Sequence, residues 1–362
     1  MAARLGVRLR GRLGGGLAAR PWRAAPVVVF LVALAGTIAV LRVVLPVEPA
    51  GSAPADVYTR KLAFAQERLG EYEVVYIGSS RARRGFKPVV FEQALRARGI
   101  EVRALNLGIP GLGGFALEHA VERLLDRPTG ALQLLVVAPD DFDVALAGPV
   151  AHTARAVAWH DAAGTARALG AVADRADGLA AVSWAWNHVD SFLLNWTATG
   201  RLASRFATRN STPDVRIFGF RGDGYLAKPR KAIEARRYDR LITELRAVEA
   251  APLEPPLAYE RAYLERLRRL ADARGVRLLV VREPTLSPRR TPKAIRDRTR
   301  FVRWVAERGG PVAALDLGNP LTRPELFERR LFFDPGHLND VGATLYTTLL
   351  ASEVVSSLAG DG

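Results

Sequence analysis

Four short clusters hold the side chains of this chain best suited to chemistry. They are Gly78-Ser79-Ser80-Arg81, Asn106-Leu107-Gly108-Ile109-Pro110-Gly111, Ala138-Pro139-Asp140-Asp141 and Phe333-Asp334-Pro335-Gly336-His337-Leu338-Asn339. A serine hydroxyl is a poor nucleophile until a base takes its proton. A histidine does so when a carboxylate fixes its tautomer and stabilises the imidazolium. Asp334 and His337, three residues apart on one short turn, can make that contact. Taken singly, each cluster has a plainer reading. A Gly-Ser turn before a helix can bind a phosphate, and Asp334 with His337 can be a helix cap and a surface histidine.

The clusters gain meaning from the elements that precede them. A β-rich apolar run at 73–77 (EVVYI) ends in Gly78-Ser79-Ser80, and 87–99 reads as an amphipathic helix closed by glycine. The same alternation recurs with apolar runs at 101–106, 132–137, 276–282 and 312–317, separated by helix-patterned stretches such as 116–125 and 259–274. Near-continuous apolar strands spaced by helices imply a parallel sheet covered on both faces. The expectation is an α/β, flavodoxin-like three-layer sandwich with a five-stranded parallel sheet over 71–357. A large, mostly helical insertion at about 142–274 interrupts it between the third and fourth strands. Within the insertion, 183–196 (SWAWNHVDSFLLNW) is dense in aromatics and reads as a packing face of a helical subdomain, with a ligand platform as the alternative, and 218–225 (FGFRGDGY) as an irregular loop.

In open α/β sheets active sites gather beyond the carboxyl ends of the strands, where loops and helix N-termini converge. All four clusters fall there. With these motifs in this order, the chain resembles the SGNH (GDSL-like) hydrolase and acyltransferase superfamily, over roughly 70–140 and 275–355. The family's blocks are a G-x-S turn, a glycine after the second strand, a G-x-N-D after the third and a D-x-x-H near the C-terminus. The resemblance implies Ser80 as nucleophile, Asp334 and His337 as the rest of a catalytic triad, and the backbone N–H groups of Ser80 and Gly111 as oxyanion donors. It departs at the third block, where Asp140 stands in place of the usual asparagine, and an ionised carboxylate cannot donate to an oxyanion. Arg81 and Asn106 are expected to bind substrate. Arg81, Arg83 and Arg84 read either as solvated helix-start residues or as a fork for an anionic substrate group.

The N-terminal sequence bears on where this chemistry takes place. Residues 24–41 carry no charge, 43–47 extend the apolar run past Arg42, and six arginines lie before it. The reading is a basic cytoplasmic leader at 1–23, a single transmembrane anchor at 24–47, and a linker and lead-in at 48–70, of which 48–56 is flexible. The main domain is then extracytoplasmic. A cleaved signal peptide and a buried hydrophobic helix are the rival readings. Seven of the 15 net positive charges belong to arginines in 1–47, so eight remain for the body. No dense Lys/Arg run with interleaved aromatics points to nucleic acid. With no cysteine, disulfides, thiolate metal sites and a cysteine nucleophile are excluded. His119, His152, His160 and His188 lack metal-ligand spacing, so no metal and no cofactor is expected.

These observations lead to an extracytoplasmic serine esterase or O-acyltransferase that works through an acyl-serine on ester groups of an envelope glycan, anionic or acylated. A membrane and an envelope acyl-transfer protein are its expected partners. A catalytically silent SGNH-like domain that binds glycan or assists assembly is the rival. A phosphate- or nucleotide-binding module would leave His337 without a purpose.

Overall fold

The computed structural model describes residues 25–44, 57–140, 143–146, 148–176, 178–198, 217–219, 222–286 and 300–358. The chain divides into two units, 1–46 and 47–362. In the first, Ala25–Val44 is one helix of 20 residues with a single charged residue, Arg42. The anchor expected at 24–47 extends beyond the described residues at both ends, and several of its side chains lie outside them too. Among the described residues no helix is long and apolar enough to cross a membrane. The leader at 1–23 and the linker at 48–56 lie outside the described residues.

The second unit is α/β. Its strands are β1 (Val74–Gly78), β2 (Ala104–Gly108), β3 (Leu134–Ala138), β4 (Arg277–Arg282) and β5 (Ala313–Asp316), all parallel, in the order β2-β1-β3-β4-β5. Every residue of β1, β2 and β3 is buried, as the uninterrupted apolar runs require of strands covered on both faces. Successive side chains point to opposite faces. Val75, Ile77, Leu105, Leu107, Leu135, Val137 and Val280 meet residues of helices Val57–Arg68, Gly114–Leu125, Ala258–Asp272 and Arg300–Arg308. Val74, Tyr76, Ala104, Leu134, Val136, Leu279 and Val281 meet Ser80–Gly85, Pro88–Arg96, Ala235–Ala250 and Asp340–Leu358.

Two boundaries differ from the sequence reading. β2 begins at Ala104, not 101, because the N–H groups of Arg103 and Ala104 go to the Glu73 and Glu92 carboxylates. The expected insertion at 142–274 is also less separate than its sequence suggests. Its last two helices, Ala235–Ala250 and Ala258–Asp272, cover opposite faces of the sheet. Of the tryptophans expected to pack, Trp184 lies against the core, whereas Trp186 and Trp196 on the same helix, Gly178–Trp196, are exposed.

The strand order reverses between β1 and β3: the chain leaves β1 toward β2 and returns to β3 on the other side. Such a switch point opens a crevice beyond the strand ends. The nucleophile candidate follows β1, and Asp140 follows β3.

Candidate active site

β1 ends at Gly78, which pairs with Gly108 of β2 and Ala138 of β3. Ser79 caps the short helix Ser80–Gly85 by accepting from the Arg81 N–H at 3.3 Å, and Ser80 opens that helix half-buried. From the other end of the sequence, Phe332–Asp334 and His337–Leu338 form a small antiparallel pair around Pro335-Gly336. The turn is held by the Gly336 N–H on Asp334 Oδ1 (2.9 Å), and Pro335 O accepts from the Leu286 N–H (2.9 Å) and the Thr285 hydroxyl (3.2 Å). It presents His337 with Nε2 2.9 Å from Ser80 Oγ and Nδ1 2.8 and 3.0 Å from the two Asp334 oxygens.

With Nδ1–H donated to Asp334, the Nε2 lone pair faces the serine hydroxyl, which is the tautomer a general base needs. Burial alone would raise the Asp334 carboxyl. The His337 hydrogen bond and charge, the Gly336 N–H and Lys228 outweigh it and hold the carboxyl below its ordinary range. The acid therefore stays ionised at neutral pH, ready to stabilise an imidazolium.

On the β2 side, backbones meet closely. A Cβ on Gly108 would overlap the Arg83 backbone, so only glycine lets the helix Ser80–Gly85 sit against the end of β2. Ile109 to Leu112 form a turn closed by the Leu112 N–H on Ile109 O (3.0 Å), with Pro110 second and Gly111 third at φ +69°. That pattern is a type II turn, which requires glycine or asparagine at the third position. Arg155 Nη1 ties the loop down through Pro110 O at 2.7 Å. Asn106 occupies a different place from that expected. It is buried, donates to Ala82 O (2.8 Å) and Phe86 O (2.6 Å), and accepts from the Gly108 N–H (2.8 Å). Both its side-chain N–H groups are engaged, so Asn106 fixes the short helix after Ser80 and has no donor left for a ligand.

The β3 side contains the departure at Asp140. Ser80 lies two residues past Gly78, and Asp140 two past Ala138, its register partner, so both stand at one height above adjacent strands. Arg81, next to Ser80, forms an ion pair and hydrogen bond with Asp140, and both side chains are largely shielded. The carboxylate does not face the site as a bare charge. Glu283 follows β4 at the matching height, three residues past Val280 as Asp140 is three past Val137. It accepts from the Tyr76 hydroxyl (3.0 Å), which lies 2.6 Å from that of Tyr346. Burial pushes the Glu283 carboxyl up to about 7; the charge of Arg81 and the Tyr76 hydrogen bond oppose the shift, and Asp140 adds to it.

Reading motifs missed three side chains around the site. Lys61 is buried and donates to the carbonyls of Asn106 (3.2 Å), Gly108 (2.8 Å) and Gly224 (3.0 Å), with its pKa well below the usual lysine value through burial and then Arg83, against a smaller contribution from Asp223. It joins the helix Val57–Arg68, the end of β2 and the loop around Gly224. Its signal was legible, because it falls on the apolar stripe Tyr58, Leu62, Ala65. Glu283 was reachable by applying the strand-end rule to β4. Lys228, 3.9 Å from Asp334 Oδ2 and 4.2 Å from the Phe333 ring centre, comes from a stretch without periodicity and had no signal.

That stretch crosses the site along a series of bonds. The Asn106 N–H donates to Asp223 O (3.0 Å) and the Leu226 N–H to Arg83 O (3.0 Å). The Tyr225 hydroxyl and Lys87 Nζ both donate to Asp340 Oδ1, at 3.0 and 2.8 Å. The remaining histidines lie elsewhere: His160 and His188 are a buried pair 2.9 Å apart, with His160 stacked on Trp159, and His152 meets Asp190 at 2.6 Å. Burial holds His119 down at about 4 and His160 at about 3.

Comparison of the chain with family models, curated proteins and solved structures finds no match.

Proposed function

We propose that this chain is a serine esterase or O-acyltransferase of the SGNH type, acting through an acyl-serine on ester groups of an envelope glycan. The observation that carries the proposal is the unbroken line from Ser80 Oγ through His337 to Asp334, closed at 2.9 Å and 2.8 Å between segments 257 residues apart in sequence. A structural cap and an unrelated surface histidine have no reason to meet a serine at the opposite end of the domain. The five-stranded parallel sheet with its switch point above β1 and β3 supports a flavodoxin-like reading of the same domain.

In the first half-reaction Ser80 Oγ attacks the ester carbonyl as its proton passes to His337 Nε2. The tetrahedral intermediate collapses, and the leaving alcohol takes that proton. The acyl-serine is then attacked by water or by a sugar hydroxyl, with His337 again as base. The backbone N–H groups of Ser80 and Gly111 would serve the oxyanion. Arg81 cancels the Asp140 charge that would otherwise oppose it. The apolar segment 24–47 and the basic leader before it support a membrane tether with the domain outside the cytoplasm, where an envelope acyl-transfer protein would meet it.

The test is hydrolysis of 4-nitrophenyl acetate by the full chain in neutral detergent. Turnover that disappears in Ser80→Ala supports the reading; a folded protein without turnover above the Ser80→Ala background counts against it. The second reading, a silent domain that binds glycan or assists assembly, draws on the ion-paired Asp140 where a donor is expected.

A further inference from the structure

The three arginines behind the nucleophile have different fates. Arg81 is paired with Asp140, and Arg83 is buried with its backbone against Gly108. Arg84 stands four residues from Ser80 on the same helix, and i,i+4 side chains share one helix face. It is half-buried, yet among the described residues its guanidinium has no ion pair or hydrogen bond. Burial lowers its pKa, opposed by the charge of Asp334. Lys228, from the segment that crosses the site, holds its ammonium 3.9 Å from Asp334 Oδ2, and the same carboxylate acts on Arg84. It too is held below the usual lysine range, by burial and then by Arg84, with Asp334 opposing. Nearby Asp340 is engaged by Lys87, Tyr225 and Arg230 and is not available to neutralise them.

Two partly desolvated cations therefore face one carboxylate, and that carboxylate already serves His337. Two like charges held together out of water are costly unless an anion joins them. We infer that Arg84 and Lys228 form an anion subsite at the rim of the triad, which takes a carboxylate, phosphate or sulfate carried by the molecule whose ester is processed. The inference rests on the esterase or acyltransferase reading and narrows its substrate to an anionic one. Arg84 offers a planar fork and Lys228 a point charge, a combination that suits an oxyanion with two or more free oxygens.

Calorimetric titration with inorganic phosphate, sulfate and acetate, at constant ionic strength in neutral detergent, tests the site without requiring turnover. Wild type and Ser80→Ala should bind at least one of the three alike. Arg84→Gln and Lys228→Gln should each bind it about tenfold or more weakly, and Arg240→Gln, an exposed side chain on the helix Ala235–Ala250, should match wild type. Equal binding by all variants, or none by wild type, overturns the subsite. Binding that holds as expected in a protein without esterase activity would leave the subsite standing and remove the catalytic reading. Where turnover exists, kcat/KM for 4-acetoxybenzoate relative to its uncharged methyl ester should fall in Arg84→Gln and Lys228→Gln. An equal loss on both esters would assign the cations to holding Asp334 and would overturn substrate recognition.

Discussion

The two sides of Ser80 are built in different ways. On one side, His337 and Asp334 come from a single turn, and every bond of the line Ser80–His337–Asp334 is short and local to two small segments. On the other, Arg81, Asp140 and Glu283 come from three strand ends, and an ion pair and two tyrosine hydroxyls hold them. In the proposed mechanism the proton-transfer side depends on the geometry of one turn. The oxyanion side of that mechanism depends on the register of the sheet and on charge balance. A motif can encode the first, whereas only the assembled fold creates the second. The two should therefore fail differently.

The largest effect belongs to the turn. Asp334→Asn should lower kcat for the aryl ester by about 10⁴, and His337→Ala by at least as much, with the fold intact by circular dichroism. Arg81→Gln should cost about 10²–10³ in kcat, because it leaves the Asp140 carboxylate uncompensated beside the developing oxyanion. Adding Asp140→Asn to Arg81→Gln should recover part of that loss. A double variant no faster than Arg81→Gln alone would show that charge balance is not what the pair supplies.

Glu283 tests the same side through stability. Its folded pKa, about 7, lies above the ordinary value of 4.5. The neutral form is thus favoured by folding, and the associated stability is complete below about 4.5 and lost as pH rises through about 7. Urea titrations at pH 5 and 8 should show wild type losing about 2–3 kcal/mol relative to Glu283→Gln across that window. Coincident pH profiles would place the carboxyl in water. The smallest effect is expected at Lys61→Met, which strips three buried carbonyls of their donor while removing a desolvated amine. A loss of about 2 kcal/mol in urea unfolding is expected. No loss would mean that the helix Val57–Arg68 does not depend on this side chain for its docking.

The contrast also explains what the residues reveal before folding. Ser80 was legible as the serine of a G-x-S turn at the end of β1, and Asp334 and His337 as the ends of a D-x-x-H pattern. β1, β2 and β3 were legible because both their faces are covered and their apolar runs are unbroken, and β4 and the edge strand β5 from shorter apolar runs between helix patterns. Asp140 was visible as a departure, but its partner was not, since pairing Arg81 with it requires the β1–β3 register. Asn106 looked available because a polar residue near a loop suggests ligand contact, whereas its amide serves the backbone of the neighbouring turn. The helices Ala235–Ala250 and Ala258–Asp272 fall within the expected insertion, although 259–274 already reads as a helix between strands, and narrow apolar faces seat both on the sheet. Lys228 could be placed only by the folded path of the segment that carries it.

The most direct test of the account is covalent labelling of the full chain by a fluorophosphonate, read by mass spectrometry. The account predicts one adduct, on Ser80, formed by wild type at neutral pH, strongly slowed in His337→Ala and absent in Ser80→Ala. A folded wild-type protein that remains unlabelled at Ser80, or that labels as fast without His337 as with it, would contradict the assignment of Ser80 as an activated nucleophile.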